Sequence, residues 1–332
     1  MKVAMLARAR GSRVITAERS LGGYPGLCTL FGEAFQVSWH DLAEGLVAPD
    51  ILKGHDLIWW EWDRNGHAPQ AAIVAREQNP KAKIICFTGV LDMFWDKIEP
   101  KYYKAHWQAI AATDAIAVYN MDEVSFYEVM FPDTKAFHCP CAIDLEHVRS
   151  YRAKPNPDKM LLSFHANIWS DDNRKTAVNV GLFQSLLEHY PNLKATLYCR
   201  HDEPAAIEEH FRGLGWTGCK WERPVDWPFF LEDAADAYLS CHIFSRRMHS
   251  QWSVVAAAIG VPVVGPSHCQ THRSLWPELH APWYHLSTLR DRCLWLLSDL
   301  SVREAVCDHA WSQVQCYSLD RARSRIRRAV GL

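Results

Sequence analysis

Residues 237–264 read AYLSCHIFSRRMHSQWSVVAAAIGVPVV, and this stretch decides the fold. An apolar run, Ala237 to Cys241, gives way to a polar turn carrying Arg246, Arg247, His249 and Ser250. An apolar segment of helical length follows from Gln251 to Ile259, and a second short apolar run closes the stretch at Pro262 to Val264. Short apolar runs that alternate with helical segments mark parallel strands, because a parallel pair needs a long return connection.

The same rhythm extends outward. Upstream lie strands at Met160 to His165, Lys194 to Cys199 and Cys219 to Glu222, with helices at Thr176 to Tyr190, Pro204 to Leu214 and Trp227 to Ala235. The N-terminal half repeats the pattern with runs at Lys2 to Ala7, Phe35 to Trp39, Asp56 to Trp60, Lys83 to Phe87, Ala115 to Tyr119 and Lys135 to Cys139. Helical segments from Ala68 to Gln78 and Lys101 to Ala112 are long enough for right-handed crossovers. Between the halves, Tyr151 to Lys159 reads YRAKPNPDK, a polar stretch with two prolines that predicts a linker.

The expected architecture is α/β: two Rossmann-like, doubly wound parallel-sheet domains facing a cleft. Residues 1–150 form the first domain, 151–159 the linker and 160–300 the second domain. Helices over 301–332 follow, the last crossing back to the first domain. A chain of 332 residues exceeds what one core usually organises, in keeping with two domains. Its formal net charge of −2 supplies no global pull on nucleic acid or anionic lipid, so a polyanion partner needs a local patch.

The N-terminus, MKVAMLARARGSR, is too short in apolar residues for a signal segment or a membrane span, and a cytoplasmic location is expected. Eleven cysteines without a CxxC pair read as reduced thiols. Neither His138-Cys139-Pro140-Cys141 nor the group His268, Cys269 and His272 offers four zinc ligands at a recognisable spacing. No metal is expected.

Four stretches together resemble the group-one glycosyltransferases, a retaining, nucleotide-sugar-dependent family of the GT-B fold. They are HDLIWWEWD and its continuation to Gly89, ATDAIAVYN through Val148, KMLLSFHAN through Cys199, and AYLSCHIF through Leu279. The resemblance implies transfer of a sugar from a nucleotide donor, UDP-linked, held by the C-terminal half, with no further cofactor. Where that family carries Gly-Arg after the first donor-domain strand, this chain has His165 and Ala166. Its paired glutamates fall on Arg247 and Val255. The family's ribose and sugar contacts, and its stereochemical outcome, are therefore not carried over.

A diphosphate needs cations and backbone N–H groups at a helix N-terminus. Lys175, with Arg174, opens a helix after the Met160 strand and matches the lysine with which the resembled family grips the diphosphate. The turn with Arg246, Arg247, His249 and Ser250 forms a second anion cradle, with Ser250 placed to cap the following helix. Arg200 lies at the same sheet edge, and Gly265 and Ser267, after the last strand, would let backbone amides approach the sugar. Capping, salt bridging and plain turns are the alternative duties of these residues.

Activating an acceptor hydroxyl calls for a carboxylate or histidine base, and Glu61, Asp63, His67 and Asp92 are the candidates at strand ends, each also readable as a cap or turn residue. Strand alternation sends Trp60 and Trp62 to one face and Trp59 to the other, so that Trp62 near the cleft can stack on a sugar or base while a neighbour packs in the core. Arg8, Arg10, Arg13 and Arg19 in the first loop, and Arg321, Arg323, Arg325, Arg327 and Arg328 near the C-terminus, point to a polyanionic acceptor. A hydroxymethylated DNA base, as in phage-type DNA-modifying transferases, leads; a glycan or lipid-linked sugar stands close behind, and a small molecule follows. From other classes, a non-catalytic nucleotide- or sugar-binding module is the alternative. A sugar-nucleotide epimerase needs acidic residues beside the donor, which the 246–250 turn lacks.

Overall fold

The computed structural model describes residues 2–7, 36–41, 52–61, 67–88, 98–140, 142–152, 154–162, 175–198, 204–222, 227–245 and 249–331. They form two compact units, one comprising the chain up to Ala142 and again from Leu319 onward, the other Ile143–Ser318.

The first unit is built on a six-stranded sheet of order β2-β1-β3-β4-β5-β6. Its strands are β1 (Lys2–Ala7), β2 (Gln36–Asp41), β3 (Leu57–Glu61), β4 (Lys83–Thr88), β5 (Ala115–Val118) and β6 (Lys135–His138), all paired in parallel. The near-continuous apolar runs follow from cover on both faces. Ala4, Leu6, Ile58, Trp60, Ile84 and Cys86 pack with helices α1 (His67–Gln78), α2 (Tyr103–Ala111) and α3 (Val124–Met130). On α1, Ala68, Ala71, Ala72 and Ala75 make a stripe of small residues at helical spacing, which lets the helix lie close to the sheet. Val3, Met5, Leu57, Trp59, Ile85 and Phe87 point the other way.

The second unit repeats the plan with the order β12-β11-β10-β7-β8-β9. Its strands are β7 (Asn156–Leu162), β8 (Lys194–Tyr198), β9 (Cys219–Glu222), β10 (Ala237–Cys241), β11 (Val263–Pro266) and β12 (His280–Ala281), again all parallel. The helices between them are α4 (Leu145–Arg149), α5 (Thr176–Leu187), α6 (Pro204–Gly213), α7 (Trp227–Ala235), α8 (Gln251–Ile259), α9 (Gln270–Leu275), α10 (Leu286–Ser298) and α11 (Leu300–Val314).

Two boundaries differ from the sequence expectation. β7 begins at Asn156, inside the stretch read as linker: Asn156 N–H donates to Asp236 O at 2.9 Å, and a register shift on β10 between Ala237 and Leu239 accommodates Pro157, which has no N–H to give to a ladder. The division between the units falls after Ala142 rather than residue 150, because Ile143, Leu145 and Val148 are buried in the second core. Val306, Cys307, Ala310 and Val314 of α11 sit in that same core, so residues 301–318 are part of the second unit.

The final helix, α12 (Leu319–Val330), completes the first unit. Ala322, Ile326 and Val330, four residues apart, are buried with Val3, Met5 and Trp59 and cover the face that α1 to α3 leave open. The arginines occupy the rest of the helix: Arg321, Arg327 and Arg328 are exposed, and Arg323 pairs with Asp320 at 3.1 Å. Among the described residues no helix is long and apolar enough to cross a membrane.

Candidate functional site

In doubly wound sheets ligands bind outside the carboxyl ends of the strands, where the strand order reverses. The second sheet runs from β7 outward to β8 and β9 on one side and from β10 to β11 and β12 on the other, so its switch point lies between β7 and β10. The head of α5 stands there. Lys175 precedes α5 and is the one residue other than glycine, among those described, with a positive φ (47°). A lysine gains nothing locally from the left-handed region, so this backbone is imposed by its surroundings.

Asn179 is the clamp. Fully buried, it donates from Nδ2 to the carbonyls of Lys175 and Ile243, each at 3.0 Å, and its Oδ1 accepts from Ile243 N–H at 2.9 Å. Ile243 lies just beyond β10, so one side chain ties the head of α5 to the far side of the switch point. Thr176, the first residue of α5, is 5% exposed, and its hydroxyl has no hydrogen-bond partner among the described residues. From the loop after β12, the Trp283 ring lies 5.2 Å from Lys175 Nζ. The first turn of α5 thus presents helix N-terminal N–H groups beside a buried hydroxyl and an ammonium, the kinds of donor that suit an anion. Of the residues predicted here, Lys175 is placed at the switch point, while Arg174 and Arg200 lie outside the described residues.

The turn from β10 to α8 is only partly described. Arg246 and Arg247 lie outside it, whereas His249 and Ser250 are buried. Ser250 caps α8, its Oγ accepting from Ser253 N–H at 3.2 Å, and the same Oγ lies 3.3 Å from His242 Nδ1. Its N–H donates to Thr271 Oγ1 at 3.1 Å. Val255, where the resembled family has an acidic residue, is buried in the core.

Gly265 lies within β11, and Ser267 follows it directly. Gly265 N–H donates to Leu279 O at 3.3 Å and Ser267 N–H to Ala281 O at 2.8 Å, so both amides are engaged by β12 and its approach. Glycine stands at 265 because of His272, whose ring fills the space where a Cβ would project. His272 is completely buried, and that burial, with repulsion from His268 and His280, holds its pKa down to about 3.

In the first sheet the order reverses between β1 and β3, and Glu61 ends β3. Glu61 is 7% exposed, and His67 opens α1 half-buried. Asp63 and Asp92, together with Trp62, Arg8, Arg10, Arg13 and Arg19, lie outside the described residues. Trp59 and Trp60 are both fully buried, on opposite faces. Among the described residues no group of three His, Cys, Asp or Glu side chains is arranged to hold a metal ion. Asn179, Thr176 and Trp283 were missed; their types carry no site signal, and only the contact partners reveal them.

No protein-family model matches the sequence, and no curated protein matches it. Solved structures do. Trehalose-6-phosphate synthase OtsA superposes with a TM-score of 0.77 at 12% identity, over 100% of this chain and 99% of that one. A trehalose-6-phosphate protein from E. coli bound with UDP-2-fluoro glucose gives 0.74 at 11% identity, over 100% and 99%. The synthase of Burkholderia multivorans gives 0.73 at 12% identity, over 99% and 96%. At such identities the likeness shows architecture: the chain has the two Rossmann-like parallel-sheet units of the GT-B fold.

Proposed function

We propose that this protein is a glycosyltransferase whose second unit holds the diphosphate of a nucleotide-activated sugar, a UDP-hexose being the first donor to test. The observation that carries the reading is the head of α5 at the switch point, with Lys175 in a left-handed backbone beside the Thr176 hydroxyl, buried and without a hydrogen-bond partner among the described residues. UDP-forming synthases and a protein bound with UDP-2-fluoro glucose among the structural neighbours support the choice of UDP. In the reaction the bond from the anomeric carbon to the diphosphate breaks and a bond from that carbon to an acceptor oxygen forms. Lys175, aided by Arg174, Arg246 and Arg247, would stabilise the charge left on the diphosphate. The acceptor proton would go to a carboxylate or histidine base, with Glu61, Asp63, His67 and Asp92 as the candidates.

For the acceptor, the arginines of the first loop and of α12 support a phosphate-bearing molecule, with hydroxymethylated DNA and a hexose phosphate as its two forms. The test is release of UDP from UDP-glucose in the presence of each acceptor, alongside calorimetric binding of UDP. Turnover with one acceptor, lost in Lys175→Ala, is the expected result. UDP binding without turnover on any acceptor would favour a binding module, a reading that the apolar Val255 supports. Absence of UDP binding would overturn both.

A further inference from the structure

Lysine is a poorly defined cation until something holds it: four rotatable bonds let the ammonium sample a wide volume of solvent. Lys175 is held. Its Nζ lies 5.2 Å from the centroid of the Trp283 ring, within range for a cation against an aromatic face. Trp283 is itself fixed. It is partly buried against the second core, just after β12, and α10, which begins three residues later, packs against α5.

The chemistry of the partner matters. A carboxylate in the place of Trp283 would fix Lys175 equally well, but it would neutralise the charge and occupy its N–H groups. An indole face attracts the ammonium through its quadrupole without bringing an opposite charge.

We propose that Trp283 is a positioning residue for donor binding, holding the Lys175 ammonium at the head of α5 so that its charge is in place before a diphosphate arrives. The proposal rests on the donor-site reading given above. It assigns to Trp283 no contact with the sugar or the base; its effect passes through Lys175.

The test compares UDP with uridine, which lacks the diphosphate, by calorimetry on the full chain. Trp283→Leu is expected to weaken UDP about 3- to 10-fold while leaving uridine within about twofold. Trp283→Phe, which keeps an aromatic face, recovers most of the loss. In the Lys175→Ala background, Trp283→Leu costs UDP nothing more, because the group it positions is gone. Trp283→Met gives a second apolar replacement should Trp283→Leu fail to fold, and circular dichroism with a melting curve reports on each variant.

Equal losses for UDP and uridine, independent effects in the double variant, or failure of Trp283→Phe to exceed Trp283→Leu would each overturn the proposal. UDP binding that depends on Lys175 but not on Trp283 sinks this inference alone. Wild-type protein that binds no UDP sinks the donor-site reading with it.

Discussion

Gly265 and His272 share one volume: a Cβ added at Gly265 would lie 2.0 Å from Cε1 and 2.1 Å from Nδ1 of the imidazole. The ring cannot retreat, since His272 is completely buried at the start of a short helix against β11. Gly265→Ala is therefore expected to destabilise the second unit by about 1–3 kcal/mol, the usual range for overpacking. Urea unfolding measures it. The variant carrying both Gly265→Ala and His272→Ala should be more stable than the two single losses added together, because the smaller residue at 272 makes room for the methyl. Simple additivity would refute the shared volume.

The same imidazole makes stability depend on pH. His272 has a pKa of about 3 in the folded protein against an ordinary value of 6.5, burial being the main cause. Between those values the unfolded chain carries the extra proton, so stability is complete above about pH 6.5 and is lost as pH falls toward 3. The slope for one such group is about 1.4 kcal/mol per pH unit. In the first unit His138 acts in the same direction, held at about 4 by burial and then by Arg325. Urea midpoints at pH 7 and pH 5 should differ accordingly, and His272→Gln should flatten the fall for the second unit.

Lys175 separates binding from stability. A left-handed backbone suits glycine better than any residue with a side chain, by about 1 kcal/mol. Lys175→Gly should therefore be more stable than Lys175→Ala by about that amount, while both lose affinity for UDP relative to uridine. Thermal melts and calorimetry on the same two variants read the pair of effects. Equal stability would mean that the backbone at 175 relaxes once the lysine is gone.

Asn179→Ala leaves a buried N–H and a buried carbonyl of Ile243 without their partner. The expected cost is about 2–3 kcal/mol, and UDP affinity should fall as well, because the head of α5 loses its tie to the strand across the switch point. A loss of stability with unchanged UDP binding would show that Asn179 serves the fold alone.

Much of the framework can be read from residue patterns. The adjacent tryptophans at 59 and 60 are informative because a strand alternates faces, so two neighbours that are both fully buried demand a sheet covered on each side. Lys175 stands out by its place after an apolar run. Asn179 and Trp283 do not: Asn179 meets Ile243 across 64 residues, and an asparagine inside a helix looks the same whether it faces water or clamps two carbonyls. Gly265 shows the limit most clearly. A glycine after a strand invites a ligand in any local reading, whereas its reason here is a side chain on the next helix. The β7 boundary was obscured by Pro155 and Pro157, which locally signal a break. Only the register shift against β10 shows how a strand contains the second of them.

The return of α12 to the first unit bears on how the protein is made. Val3, Met5 and Trp59 belong to the opening of the chain, yet the residues that cover them, Ala322, Ile326 and Val330, leave the ribosome last among the described elements. Among the described residues no other helix packs with Val3, Met5 and Trp59, so that cover is missing throughout synthesis of the second unit, and a fragment ending at Ala142 would lack it permanently. Chaperone engagement during translation, and poor solubility of such a fragment, are the expected consequences of this chain path.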